Sequence, residues 1–301
     1  MYQLNESSMV TVNDRSELTI ESISTIDYYM EYYWHKYGDP RVEPFPLMKS
    51  LQPTITILAL WSLFVLYVGP RFMSKRSPFS LRPILIVYNL TMSLANAYFF
   101  YLVMYYYNYG LDSFMIKFPT FERIDLNTMS SIRMSHLYLL TKFIDLLDTI
   151  FFVLRKKQSQ VTWLHFYHHL TVPLIGWIHF RLCGANVVCI PFAVMNTLIH
   201  TIMYAYYGLA AIGPHMQPYL WWKRYITTIQ IGQFALLFAY SLYFTLFQEG
   251  YHFMFSVNIV IQSIFYFILF YRFYIQTYQK SMKKNITIDI TQHNDATKKD
   301  L

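Results

Sequence analysis

Residues 158–180, between Lys157 and Arg181, run 23 positions without an Asp, Glu, Lys or Arg. A helix of that length spans the hydrocarbon of a bilayer. Inside hydrocarbon only helices and closed barrels satisfy their own backbone, so such a run narrows the fold sharply. Seven apolar segments follow one another along the chain, at about 52–69, 83–107, 133–154, 161–180, 186–209, 225–247 and 252–272. Each has helical length, and together they predict an all-α polytopic membrane protein with seven transmembrane helices. Composition agrees, because 14% of residues are charged against about a quarter in soluble domains. Pro53, Pro83 and Pro173 sit near segment starts or in mid-span, which membrane helices tolerate.

A net charge of +7 invites nucleic acid as a partner, but the distribution argues against it. The bases sit in short loops between apolar runs: Arg71, Lys75, Arg76 and Arg82; then Arg155, Lys156 and Lys157; then Lys223 and Arg224. The tail adds Lys280, Lys283, Lys284, Lys298 and Lys299, and the alternate loops are poor in bases. By the positive-inside rule the amino terminus is expected outside or in a lumen and the carboxyl terminus in the cytosol. Three regions result: a lumenal segment over 1–50, a membrane domain over 51–276, and a cytosolic disordered tail over 277–301. Residues 1–50 read as polar, with an interfacial aromatic patch at Tyr28, Tyr29, Tyr32, Tyr33 and Trp34, and without the apolar core of a cleavable signal. Asn5-Glu-Ser7 is a glycosylation sequon on the expected lumenal side, whereas Asn285-Ile-Thr287 faces the cytosol. Lys298 and Lys299 stand fourth- and third-last, the pattern of a dilysine retrieval signal for the endoplasmic reticulum. Cys183 and Cys189 suit either a pair in an oxidising lumen or two unpaired thiols.

Chemistry concentrates on polar residues inside the apolar runs. On a helix, His165 lies one turn from His168 and His169, so three imidazoles share a sector. Ionisable groups at membrane depth are costly and usually face a bundle interior. Lys142, Asp145 and Asp148 share a helical face in the third segment. They form a self-neutralising network that fixes packing, a carboxylate that orients an imidazole, or both. Asn196, His200, Tyr204 and Tyr207 make one stripe in the fifth segment, readable as an active-site wall. Thr227, Gln230 and Gln233 share a face in the sixth, where they either lock helices together or line a polar passage. Buried histidines fit two chemistries. An iron or zinc lipid oxygenase needs about eight ligands, and only one clustered histidine box exists here. Imidazole acting as nucleophile and base needs few histidines and no metal, so the count favours it. A transporter or receptor is the third reading, though internal repeats are not visible.

The ordered set Lys142…Asp145…Asp148-Thr149, His165-x-x-His168-His169, Asn196…His200-x-x-Met203-Tyr204-x-Tyr206-Tyr207 and Thr227-x-x-Gln230-x-x-Gln233 resembles the very-long-chain fatty acid elongase family. The likeness runs from about residue 50 to 275, and one departure is Asp145, where that family usually has glutamate. The resemblance implies seven helices, six of them an inverted barrel around an acyl tunnel, in the endoplasmic reticulum membrane. It implies condensation of a long-chain acyl-CoA with malonyl-CoA to 3-oxoacyl-CoA, CO2 and CoA, without cofactor or metal. His168 is then the nucleophile, with His165, His169, His200 and Asn196 around it in acid–base work and enolate stabilisation. Lys142, Arg155, Lys157, Gln160, His165, Asn196, Tyr206, Lys223, Thr227 and Gln230 would contact acyl-CoA, while Asp145, Asp148, Tyr204, Tyr207 and Gln233 would support them. The implied partners are the 3-oxoacyl-CoA reductase, dehydratase and enoyl-CoA reductase of the elongation cycle. The resemblance leaves a homo- or hetero-oligomer open.

Overall fold

The structure, a computed structural model, describes residues 24–114, 117–118, 120–184, 187–251 and 253–279, with the side chains of 253, 254 and 279 left out. The Asn5 and Asn285 sequons and Lys298-Lys299 lie outside the described residues. The main helices are α1 (Gln52–Met73), α2 (Arg82–Tyr106), α3 (Leu126–Ile144), α4 (Leu146–Leu154), α5 (Trp163–Cys183), α6 (Ile190–Ile212), α7 (Lys223–Phe247) and α8 (Phe253–Tyr274). Among the described residues there is no strand; Lys117 and Glu249 form one isolated bridge.

Local chemistry explains where the helices begin. Proline stands in the first turn of α1, α2 and α6, where a missing N–H is harmless. Asp125 caps α3 by accepting from the Thr128 N–H at 3.0 Å, and that bond with the Thr128 hydroxyl holds the Asp125 carboxyl below the usual carboxylate range. Thr162 caps α5 by accepting from the His165 N–H at 3.2 Å.

Five helical stretches are long and apolar enough to cross a membrane: Gln52–Met73, Arg82–Tyr106, Val187–Ile212, Lys223–Phe247 and Phe255–Tyr278. The other two sequence-marked spans fall short for identifiable reasons. The third is divided at Asp145 into α3 and α4 and contains Arg133, Lys142, Asp145 and Asp148. In α5 four histidines and Arg181 dilute the apolar run.

α2 packs along α6, and α7 against α8. The buried amides of Asn89 and Asn96 donate to carbonyls in their own helix, Leu85 at 2.6 Å and Met92 at 2.8 Å. The polar groups of α2 thus serve packing.

The amino-terminal region departs from the polar segment that its composition suggests. Trp34, Val42 and Met48 are buried in one cluster with Ile132 and Leu139 of α3 and Trp177 and Phe180 of α5. Its charges pair among themselves, which conceals the core in the composition. Arg41 clasps Asp39, at 2.7 Å from Nη2 to Oδ2. The fully buried Arg181 guanidinium donates to the Asp39 carbonyl at 2.8 Å and to Glu43 at 3.0 Å. Gly184 ends α5 with φ +58°, and a Cβ there would lie 2.5 Å from an Asp39 carboxylate oxygen. The segment therefore seals the Cys183 end of α5.

Candidate active site

An internal cavity of about 210 Å³ lies between α3, α5, α6, α7 and α8. Its walls are largely apolar, with Val172, Phe180, Phe192, Phe234 and Leu237 among them. At the end nearer the basic connections it meets Lys142 and Tyr266, and at the other it reaches Gly184 and Val188.

The histidine box stands in the first two turns of α5. His165 and His169 face each other with ring centroids 4.1 Å apart, and His168 meets His169 edge-on at 5.6 Å. His165 Nε2 is 2.8 Å from Thr149 Oγ1 on α4, a hydrogen bond that fixes the ring. His168 packs edge-on to Tyr266 at 5.4 Å and beside Phe270 at 6.2 Å, which ties it to the cavity wall. Its Nδ1 is buried without a partner, yet the residue is only half-buried, so the accessible edge carries Nε2.

The remaining polar groups gather around Asp145, where α3 passes into α4. Lys142 Nζ donates to Asp145 Oδ2 at 3.0 Å and to Asn196 Oδ1 at 3.3 Å. Tyr138 also donates to Asn196 Oδ1, at 2.7 Å. With both donors on the oxygen, the Asn196 amide is oriented and its NH2 remains available as a donor. The Tyr204 hydroxyl sits 2.8 Å from both Asp145 Oδ1 and Asp148 Oδ2. His200 Nδ1 is 3.9 Å from Asp145 Oδ2, beyond hydrogen-bond range, and has no hydrogen-bond partner. Of the two sequence readings, the ion network forms, and among the described residues no carboxylate of this cluster hydrogen-bonds an imidazole. Thr149 orients His165 instead.

The residues expected to contact acyl-CoA divide into two groups. Lys142, His165 and Asn196 belong to the cluster just described. Lys157 and Gln160 lie exposed between α4 and α5, Arg155 is half-buried beside them, and Lys223 is exposed at the start of α7. Among the described residues none of these three cations forms an ion pair, so their charges face the medium at one end of the helices. Tyr206 packs on Trp222 at 5.1 Å, in a cluster with Leu220 and Ile226, rather than against the histidines. Thr227 Oγ1 is 3.5 Å from the Tyr278 hydroxyl, and Gln230 Nε2 is 3.8 Å from Met203 Sδ. Gln233 is buried with its Nε2 unpaired. Tyr207 meets Tyr204 edge-on at 6.4 Å and is part-exposed, outside the cluster.

Sequence reasoning passed over Tyr138, Thr149 and Tyr266 as site residues. Tyr138 and Thr149 each lie one turn from an ionisable residue, Lys142 and Asp145, and that spacing was a usable signal. Tyr266 carried none, because its role depends on α8 crossing α5. Among the described residues no three His, Cys, Asp or Glu side chains converge to hold a metal ion.

A helical multi-pass membrane protein with an imidazole cluster against an internal apolar cavity is the class that fold and site define. Residues 46–286 match the ELO: GNS1/SUR4 family, and the chain belongs to that family. It is similar to very long chain fatty acid elongase 4 of Homo sapiens, 39% identical over 267 residues, 86% of this chain and 81% of the relative. Very long chain fatty acid elongase 7 of Rattus norvegicus is 36% identical over 281 residues, 91% of this chain and 96% of its own length. Very long chain fatty acid elongase 1 of Homo sapiens is 35% identical over 255 residues, 82% and 89% respectively.

Proposed function

We propose that this protein is a very-long-chain fatty acid elongase that condenses a long-chain acyl-CoA with malonyl-CoA. The observation that carries the proposal is the position of His168, in an imidazole cluster whose neighbour Tyr266 walls an apolar cavity fit for an acyl tail. Arg155, Lys157 and Lys223 supply unpaired cations for the CoA phosphates at the same end of the helices. Lys142 and Asn196 lie where the thioester would enter, and Tyr206, Thr227, Gln230 and Gln160 line the approach.

His168 Nε2 attacks the acyl thioester carbonyl; the C–S bond breaks, and CoA leaves as the thiol with the imidazole proton. Malonyl-CoA then loses CO2, and the enolate carbon attacks the acyl-imidazole. The C–N bond breaks, 3-oxoacyl-CoA leaves and the imidazole regains a proton. Asn196 NH2, His169 and His200 face the developing enolate charge. No cofactor enters this scheme. Asp145, Asp148 and Tyr204 hold the helices around it, with Tyr207 packed edge-on against Tyr204 and Gln233 buried on α7.

The same proposal places seven membrane crossings in the chain, with α3 and α4 counted as one and six crossings forming an inverted barrel. It takes the protein to the endoplasmic reticulum with the amino terminus lumenal and the carboxyl terminus cytosolic. The reductases and the dehydratase of the elongation cycle are its functional partners. Mass spectrometry of protein incubated with acyl-CoA alone tests the chemistry. Free CoA and an acyl mass on the peptide containing His168 are expected, together with parallel initial-velocity lines. Intersecting lines without an adduct would refute the covalent step.

A further inference from the structure

Below the histidines the cavity wall is not uniformly apolar. Asn258 and Gln262, one turn apart on α8, both line it, and His179 of α5 lines it as well, stacked on Phe255 at 4.2 Å. Asn258 Oδ1 and Gln262 Oε1 are buried without a hydrogen-bond partner. In α2 the buried amide nitrogens donate to their own helix, although Asn96 Oδ1 is unpaired there as well; what sets Asn258 and Gln262 apart is that they line the cavity. Gln262 lies about 6 Å and Asn258 about 12 Å along α8 from Tyr266, the residue against His168. An all-methylene chain filling this cavity would strand both amides, and a carboxylate would be a buried unpaired charge. A hydroxyl matches them, since it donates one hydrogen bond and accepts another, as an amide does in either orientation.

We infer that this stretch of the cavity is a specificity site for acyl chains carrying a hydroxyl partway along, recognised by Asn258 and Gln262. The inference rests on the condensing-enzyme reading, because it takes the cavity as the acyl site.

The test uses purified full-length protein and pairs of acyl-CoAs of equal length, one unsubstituted and one with a single hydroxyl moved along the chain. Thermal stabilisation reports apparent affinity without requiring turnover. One hydroxyl position should bind about two- to tenfold more tightly than the unsubstituted chain, with positions further along showing no gain. Gln262→Met, or Asn258→Leu in a second variant, should bring that ratio towards one. Equal binding at every position in the wild type would overturn the inference whatever the variants do. A preference that survives both substitutions would overturn the assignment to these amides. A hydroxyl preference without 3-oxoacyl-CoA formation would refute condensation and leave the polar site standing. Condensation without any preference would do the reverse.

Discussion

Replacing Lys142 with Met tests whether the ion network around Asp145 holds α3, α4 and α6 together. Lys142 and Asp145 are 4% and 6% exposed, with charged atoms 3.0 Å apart. At an effective dielectric constant of about 20, that separation gives an attraction of about 5.5 kcal/mol. Desolvating two ions costs several kcal/mol each, so the pair contributes little net stability, but losing one partner leaves an uncompensated charge. Tyr204 still reaches Asp145, yet its single proton also serves Asp148. Lys142→Met should therefore destabilise the protein by about 3–5 kcal/mol. Lys142→Met with Asp145→Leu should recover about 2–3 kcal/mol of that, because the carboxylate left beside the lost ammonium is gone and Tyr204 then serves Asp148 alone. Denaturant unfolding in mixed micelles would measure all three proteins. A single-variant loss below about 1 kcal/mol, or strict additivity in the double variant, would refute the reasoning.

His168→Ala should fold and lose condensation by about 10³-fold or more, measured as 3-oxoacyl-CoA from labelled malonyl-CoA; substantial residual turnover would remove His168 as nucleophile. Thr149→Val keeps the shape of the side chain but loses the bond to His165 Nε2, so turnover should fall about tenfold and return with Thr149→Ser, with thermal stability little changed. Gly184→Ala forces an alanine to φ +58° against Asp39, and a loss of about 1–3 kcal/mol in stability is expected. In animal cells, endoglycosidase should shift mobility through Asn5 alone; sugar on Asn285 would invert the assigned orientation.

How much of this was legible in the sequence follows from which interactions are local. The helices came through because apolar runs and their bounding charges are a one-dimensional signal: α7 spans Lys223–Phe247 where hydropathy marks 225–247. The three α5 imidazoles and the α6 stripe follow from the 3.6-residue period alone. The break at Asp145 was hidden, because Leu146 through Leu154 continue the same pattern without Gly or Pro. Asp145 keeps helical dihedrals, and its tertiary partner is Tyr204, which sequence spacing does not reveal. The burial of Trp34, Val42 and Met48 was hidden for a related reason. Asp39, Arg41, Glu43 and Arg181 read as solvated charges until folding shows that they neutralise one another.

The distribution of satisfied and unsatisfied groups separates scaffold from reactive surface. Around Asp145 the polar atoms are matched: Lys142 to Asp145 and Asn196, Tyr138 to Asn196, Tyr204 to two carboxylates, Thr149 to His165. A matched network in a low-dielectric interior is rigid, which suits groups that must hold geometry. Some of the unpaired atoms lie elsewhere. His168 Nδ1 and His200 Nδ1 are unpaired within the histidine cluster, and the Asn258 and Gln262 oxygens are unpaired at the wall of the cavity. Leaving a buried polar atom unpaired is destabilising, and Thr54, Asn96, Gln233, Tyr251 and Ser256 carry such atoms too, so it is the position of those four at the histidine cluster and the cavity that gives them a place in the proposed substrate path. In the proposed complex the imidazole nitrogens would meet the reacting end of the chain, and the two amides its middle. On this argument filling the cavity stabilises the folded protein, and a hydroxylated chain stabilises it more than an unsubstituted chain of equal length.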